Sequence, residues 1–339
     1  MDRVFDIAIV GATGLVGESI LSILEERNFP VGKLFLVASE RSAGSSILFQ
    51  KQSISVENIE DFDFSQAQVA LFSAGGDVSA HYAPIAADSG CVVIDNTSYF
   101  RNDPDVPLVI PEVNPDQIAN YTTQNIISNP NCSTIQMLVA LAPIHQAVGI
   151  EAITVSTYQA VAGAGKKGVE ALAKQTAQLL NAKALDVAEG EKQIAFNVVP
   201  KIDDFMDNGF TREEMKMVWE TQKILDEAIQ VNPTCVRVPV FHGHSEAVFV
   251  ETQSYISAEE VREMLENAEG VTVLDNPDSL EYATPVTDAV GNDAVYVSRI
   301  RETVNGRPGI HLWITADNVR KGAALNAVQI AEKLINDYI

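Results

Sequence analysis

Cysteine is scarce in this 339-residue chain: Cys91, Cys132 and Cys235 lie far apart, with no CxxC pair. An odd, scattered set argues against a disulfide framework and against zinc-ligand spacing, so no metal is expected. Long apolar runs are missing too. Nothing approaches the roughly eighteen uninterrupted apolar residues of a membrane-spanning helix, and "MDRVFDIAIVGATG" enters a strand with no basic leader. The expected setting is a reducing, cytoplasmic compartment. Positive charge is in deficit, with 23 Lys and Arg against 46 Asp and Glu and a net charge of -23. Such a field opposes sequence-blind binding to nucleic acid or to an anionic membrane. Anionic small substrates stay possible, because a few local arginines outweigh a distant field within a Debye length of about 8–10 Å. There is also no internal repeat, low-complexity tract or Gly/Pro/Ser-rich linker.

What is present is an ordinary globular composition, 46% hydrophobic and 20% charged, in a chain long enough for two domains. "VFDIAIVGATGLVGESILSILEERNFP" reads as an apolar strand, a Gly-punctuated turn and an amphipathic helix ending before Pro30. "KLFLVAS", "VALFSAG", "CVVIDN" and "VPLVIPEVN" follow as short, continuous apolar runs, the pattern of parallel strands buried on both faces. After the Cys132 region, "EAITVSTYQAVAG", "TCVRVPVFHGHSEAVFVETQSY", "AVYVSRIRE" and "GIHLWITADN" alternate or carry β-branched residues, and predict a second, mostly antiparallel sheet. "GKKGVEALAKQTAQLLNAKAL" is helix-prone, and "NVRKGAALNAVQIAEKLINDYI" predicts a terminal amphipathic helix that packs back on the first domain. The expected fold is α/β: a Rossmann-like doubly wound sheet from 1–130 with 315–339, and an α+β catalytic and dimerisation domain over 131–314.

In "GATGLVG", Gly11, Gly14 and Gly17 fall where a dinucleotide fold needs a tight turn, close approach to pyrophosphate and close helix–strand packing. The bland alternative is a βα turn that uses glycine for packing only. Thr13, Leu15 and Val16 share the turn and the helix start that would hold the phosphates. At the end of the second strand an acidic residue would serve a ribose 2′-OH; "VASERSAG" instead offers Ser39, Arg41 and Ser42 for a 2′-phosphate. Glu40 could still serve the ribose. NADP is favoured over NAD, with Ser39 and Arg41 on one side if the strand persists.

"IISNPNCSTIQMLVAL" places Cys132 between an Asn-Pro-Asn turn and an apolar helix. At a helix N-terminus the unpaired N–H groups and the dipole favour a thiolate; the bland alternative is a small buried residue. A redox cofactor with a nucleophilic thiolate suggests aldehyde oxidation through a thioester, or the reverse from an activated acyl group. That chemistry needs a proton shuttle, an oxyanion donor and anion clamps. "TCVRVPVFHGHSEAV" supplies Arg237 and His244, with His242 competing for the shuttle, since residues two apart on a strand share a face.

The ordered set "GATGLVG", "PLVIPEVN", "NPNCSTIQ", "STYQAVAGAG", "RVPVFHGHSEAV" and "DNVRKGAALNAVQIAE" resembles bacterial aspartate-β-semialdehyde dehydrogenase from the first strand to the last helix. The resemblance implies NADP-dependent reduction of L-aspartyl 4-phosphate to L-aspartate 4-semialdehyde, serving lysine, diaminopimelate, threonine and methionine biosynthesis. Cys132 matches the nucleophile that forms the thioacyl-enzyme, His244 the general acid/base and Gln159 the amide that orients the intermediate. Arg237 matches the clamp on the substrate α-carboxylate, and Glu213 the partner of its α-ammonium. Lys216 and Arg101 match phosphate contacts, and Asn131 an oxyanion neighbour. Gly163 and Asn318 match positions on the cofactor side. A homodimer is implied, with a tetramer as the alternative. Ala162, where many relatives carry serine, and Lys166 and Lys167 depart from the pattern. Competing readings are a related acyl-phosphate reductase such as N-acetyl-glutamyl-phosphate reductase, a noncatalytic nucleotide-binding paralogue, and a cysteine hydrolase, which has no use for "GATGLVG". Cys91, Cys235, His81, His145 and His311 read as structural.

Overall fold

The computed structural model describes residues 3–187, 190–304 and 306–339. The chain divides into two compact units, 1–131 with 323–339, and 132–322.

The first unit starts with β1 (Phe5–Val10), α1 (Leu15–Glu26) and β2 (Val31–Ala38), then the hairpin β3 (Ser46–Phe49) and β4 (Gln52–Asn58). It continues with β5 (Val69–Phe72), α2 (Gly76–Asp88), β6 (Val92–Asp95) and β7 (Ile126–Ser128). The sheet order is β3-β4-β2-β1-β5-β6-β7, parallel except for the β3–β4 hairpin. Strand alternation sends Ile7 and Ile9 into one buried cluster and Ala8 and Val10 into another. With both faces covered, the inner strands need apolar residues at every position, which is why they read as continuous runs.

One reading is corrected here, and one hairpin was not read from the sequence at all. "VPLVIPEVN" forms no strand; Leu108 makes an isolated bridge to Ser128, because Pro107 and Pro111 on either side have no N–H for a ladder. The β3–β4 hairpin carries no Asn-Gly signal, since its turn is made by Gln50 and Lys51 at φ 46° and 65°.

The second unit opens with α3 (Cys132–Val148), buried nearly all round, followed by β8 (Ile150–Gln159), α4 (Gly165–Leu180) and α5 (Arg212–Ile224). Next come β9 (Gln230–Arg237), β10 (His244–Thr252), α6 (Ala258–Glu266), β11 (Val271–Val273) and the two-residue strands β12 (Asp275–Asn276) and β13 (Glu281–Tyr282). β14 (Val295–Glu302) and β15 (Gly309–Ala316) close the sheet, ordered β11-β14-β15-β10-β8-β9. It is mixed: β8–β9 and β11–β14 run parallel, and the three pairings between them antiparallel. Packing of α3 on this sheet sets the buried positions of β8 and β10 to alternate residues. A Thr211 capping box with Glu214 starts α5, satisfying two N–H groups that a helix start leaves open. The chain then returns to the first unit at Ala323 and ends in α7 (Leu325–Asp337), whose buried stripe joins α1 in the β1-side cluster.

Candidate active site

In the first unit the glycine turn is a cradle that tolerates no side chains. Gly11 has φ 88°, and a Cβ there would lie 2.9 Å from Ala74 N; a Cβ on Gly17 would lie 2.3 Å from Gly11 O. Gly14 caps α1 in an extended conformation, so the helix starts at Leu15 and Val16 with its N–H groups facing the turn. Gly11, Thr13, Gly14, Ser39, Arg41 and Ser42 all line one cleft of about 250 Å³. Thr13 Oγ1 donates to Ser42 Oγ at 3.3 Å. The strand does not persist as the alternation argument required: β2 stops at Ala38, and Ser39 and Arg41 sit on a turn closed by Ser42 N–H to Ser39 O at 2.8 Å. Ser73, Ala74 and Val78, from the end of β5 and the start of α2, also line the cleft. Sequence reasoning missed them, although the crevice beyond a parallel strand's carboxyl end was the place to look. Arg101 is buried in this unit and donates through Nη2 to Asn96 O at 2.8 Å. Asn131, also buried, is its last residue before Cys132.

In the second unit Cys132 is the first residue of α3, where the exposed N–H groups of a helix start favour negative charge. Its other two companions in the cysteine set are core thiols; burial pushes Cys91 up to about 12 and Cys235 higher still. Gly322 closes on Cys132 so tightly that a Cβ there would sit 2.8 Å from Cys132 Cβ. Nothing in the residue spacing marked Gly322.

Three strands that are neighbours in the sheet end together. Gln159 is the last residue of β8, Arg237 the last of β9 and His244 the first of β10, and Gln159 and Arg237 are register partners. Arg237 Nη1 donates to Ala160 O at 2.8 Å, and Ala160 N–H donates to His244 Nδ1 at 3.0 Å. Since Nδ1 accepts, the neutral imidazole carries its proton on Nε2. That atom has no hydrogen-bond partner among the described residues and lies 3.4 Å from where a Gly163 Cβ would be. The same Cβ would be 2.9 Å from Arg237 Nη1, so Gly163 keeps open the space between the two side chains. Burial, then the Arg237 cation, depresses His244 to about 3. Burial also lowers Arg237, partly offset by Glu213 and Cys132, whose charges it feels. His242 does not share a face with His244, because β10 begins only at His244 and Gly243 turns at φ 87°.

Glu213, in the first turn of α5, joins this group: Gln159 Nε2 donates to its Oε1 at 2.9 Å, and Lys216 Nζ to its Oε2 at 3.0 Å. Glu213 is 6% exposed, so Glu213 and Lys216 are not a solvent-facing helix pair. Lys216 also reaches Asp203 Oδ2 at 3.0 Å. Burial works against its charge, but Glu213 and Asp203 more than offset this and hold Lys216 above the usual lysine range. Asp203 was missed by the sequence reading. Asn318, in this unit, accepts from Gly243 N–H at 2.8 Å through Oδ1 and thereby fixes the loop before His244. Ala162 is buried, its N–H bonded to Phe241 O at 3.0 Å, and Lys166 and Lys167 are exposed in the first turn of α4. Among the described residues no His/Cys/Asp/Glu group could hold a metal ion, and no helix is long and apolar enough to cross a membrane.

Residues 6–121 match the family model described as semialdehyde dehydrogenase, NAD binding domain, and residues 141–321 match the one described as semialdehyde dehydrogenase, dimerisation domain. The chain is 60% identical over 339 residues to aspartate-semialdehyde dehydrogenase 2 of Vibrio cholerae, covering 100% of both. It is 54% identical to aspartate-semialdehyde dehydrogenase of Legionella pneumophila, covering 100% of this chain and 98% of that one. The crystal structure of aspartate semialdehyde dehydrogenase II complexed with ASA from Vibrio cholerae superposes with a TM-score of 0.98 at 59% identity, covering 100% of both chains. The Candida albicans enzyme solved with NADP gives 0.78 at 26% identity, over 98% of this chain and 99% of that one. With an NAD-binding domain, a dimerisation domain and full-length likeness of this degree, the chain belongs to the aspartate-semialdehyde dehydrogenase family.

Proposed function

We propose that this chain catalyses the NADP-dependent reductive dephosphorylation of L-aspartyl 4-phosphate to L-aspartate 4-semialdehyde, through a thioacyl group on Cys132. The observation that carries the reading is the grouping of Gln159, Arg237 and His244 at three strand ends, with Cys132 heading α3 in the same unit and close enough to act on the Arg237 charge. Both the helix start and Arg237 favour negative charge at Sγ, the form that attacks the acyl carbon. Phosphate leaves as the carbon–sulfur bond forms and departs with the proton that the reductive direction consumes.

His244 is neutral with a proton on Nε2, so its part is to donate to the oxyanion that develops at the acyl carbon and to return to the same state afterwards. The Gln159 amide holds that intermediate in place. Arg237 clamps the α-carboxylate with a planar fork, Glu213 meets the α-ammonium, and Lys216 and Arg101 take the phosphate, with Asn131 beside the oxyanion. The Gly11–Gly17 cradle and the Ser39, Arg41 and Ser42 side chains fit a dinucleotide carrying a 2′-phosphate. A dinucleotide held there would supply a hydride to the acyl carbon, and the carbon–sulfur bond would then break to release the semialdehyde and return the Cys132 thiolate. The 132–322 unit serves catalysis and pairing into a homodimer, the 1–131 and 323–339 unit the nucleotide, a return eight residues later than the expected 315, and the enzyme acts in the cytoplasm.

The test runs the reaction in reverse with aspartate semialdehyde, phosphate and NADP. Absorbance should rise at the reduced-nicotinamide band, and Cys132→Ala should abolish the rise while NADP affinity stays unchanged. An inert wild-type protein would sink the enzyme reading and favour a nucleotide-binding paralogue.

A further inference from the structure

The strand ends that carry Gln159 and Arg237 rest on a second layer one residue pair deeper. On β8, Thr157 lies two residues before Gln159 and so on the same face. Its register partners are Cys235 on β9 and Glu246 on β10. All three are 0% exposed, and only Thr157 reaches upward. Its Oγ1 donates to Gln159 Oε1 at 3.0 Å and also lies beside the Cys235 sulfur, whose own thiol is directed at Met217 Sδ at 3.8 Å, and Glu246 faces Gln136 of α3.

An amide is nearly symmetric in shape but not in chemistry, and its terminal torsion is soft, so its orientation has to be set by its partners. On one side of Gln159 is Glu213, a carboxylate that accepts from Nε2 at 2.9 Å. On the other is the Thr157 hydroxyl, the donor that occupies Oε1. With the oxygen tied and one N–H given to Glu213, the second N–H of Gln159 is used by no other described residue and remains for the substrate. Without the Thr157 donor, Oε1 becomes a buried acceptor with no partner, and rotation that relieves it swings that N–H away.

We propose that Thr157 is a positioning residue of the reaction, acting through its hydroxyl on the Gln159 amide; this rests on the reading of Gln159 given above. The experiment is a double-mutant cycle on the full-length protein, with kcat and KM measured for aspartate semialdehyde, phosphate and NADP. Thr157→Val, which keeps shape and removes the hydroxyl, should lower kcat about tenfold with KM within about twofold, the size expected for loss of one neutral hydrogen bond. Thr157→Ser, which keeps the hydroxyl, should stay within about twofold of wild type in kcat. In a Gln159→Ala background, Thr157→Val should cost nothing further, because the group it acts through is gone. A packing role alone would give the same additional loss in both backgrounds, and that result, or an unchanged kcat in Thr157→Val, overturns the proposal. If Thr157→Val does not fold, Thr157→Ala is carried through the same cycle and read the same way. A Gln159→Ala enzyme with wild-type kcat would instead overturn the role of Gln159, and that of Thr157 with it.

Discussion

A histidine held neutral in the native chain must make stability fall steeply in acid. His244 is 0% exposed, its Nδ1 accepts from Ala160 N–H, and burial with the nearby Arg237 cation moves its pKa from 6.5 to about 3. The native state therefore refuses a proton that the unfolded chain accepts below pH 6.5. The stabilisation is present above that value and is lost as pH falls toward 3. Between pH 7 and pH 4 the loss integrates to about 3 kcal/mol from this one group. Carboxylates elsewhere also titrate in that window, so the quantity to measure is a difference. Urea unfolding of wild type and of His244→Gln, each at pH 7 and pH 4, should show the variant losing about 3 kcal/mol less than wild type, or roughly 1 M in relative midpoint for an m-value near 3 kcal/mol/M. Imidazole chemical shifts of His244 should stay flat from pH 8 to pH 4.5. Equal acid losses in the two proteins, or a His244 resonance that titrates near 6.5, would refute both the buried neutral imidazole and the donor role assigned to Nε2.

Two further substitutions test the geometry of the separate units. Gly322→Ala places a Cβ 2.8 Å from Cys132 Cβ, with no flexible side chain to give way; alkylation of the thiol by iodoacetamide and kcat should both drop tenfold or more, on the order expected when a nucleophile is displaced by a fraction of an ångström, while NADP affinity holds. Unchanged alkylation would mean that Gly322 does not set the position of the thiol. Arg41→Ala should weaken NADP by roughly 10- to 100-fold, the 1.5–3 kcal/mol of a hydrogen bond to a charged group, and leave NAD within about twofold by calorimetry. Equal losses for both dinucleotides would remove Arg41 from the 2′-phosphate.

The parts of this chain legible from residues alone are those in which one local rule acts. β1 and its glycine turn are of this kind: a strand buried on both faces has to be apolar throughout, and Gly11 and Gly17 have no room for a Cβ. The place of Cys132 at a helix start was legible for the same reason, since an Asn-Pro-Asn turn leads there into an apolar run with helical spacing. Where two segments far apart in sequence decide the outcome, the reading weakened. The apolar run before Pro111 looks like a strand until its prolines are set against the bridge Leu108 makes with Ser128. Glu213 and Lys216 look like a surface pair until Gln159 and Asp203 arrive from other elements. Gly322 shows the limit most clearly: its need to be glycine comes from a thiol 190 positions earlier, and no window of sequence holds both. The proposed site residues fall across this divide in a consistent way. Candidate residues that carry charge or a thiol advertise themselves by type, whereas the neighbours packed or hydrogen-bonded against them, Thr157, Gly163, Asp203 and Gly322, are ordinary by type and acquire meaning only from the register of β8, β9 and β10 and the packing of α3. A sheet register is a long-range property, so the supporting layer of a site built on strand ends emerges only with the fold itself.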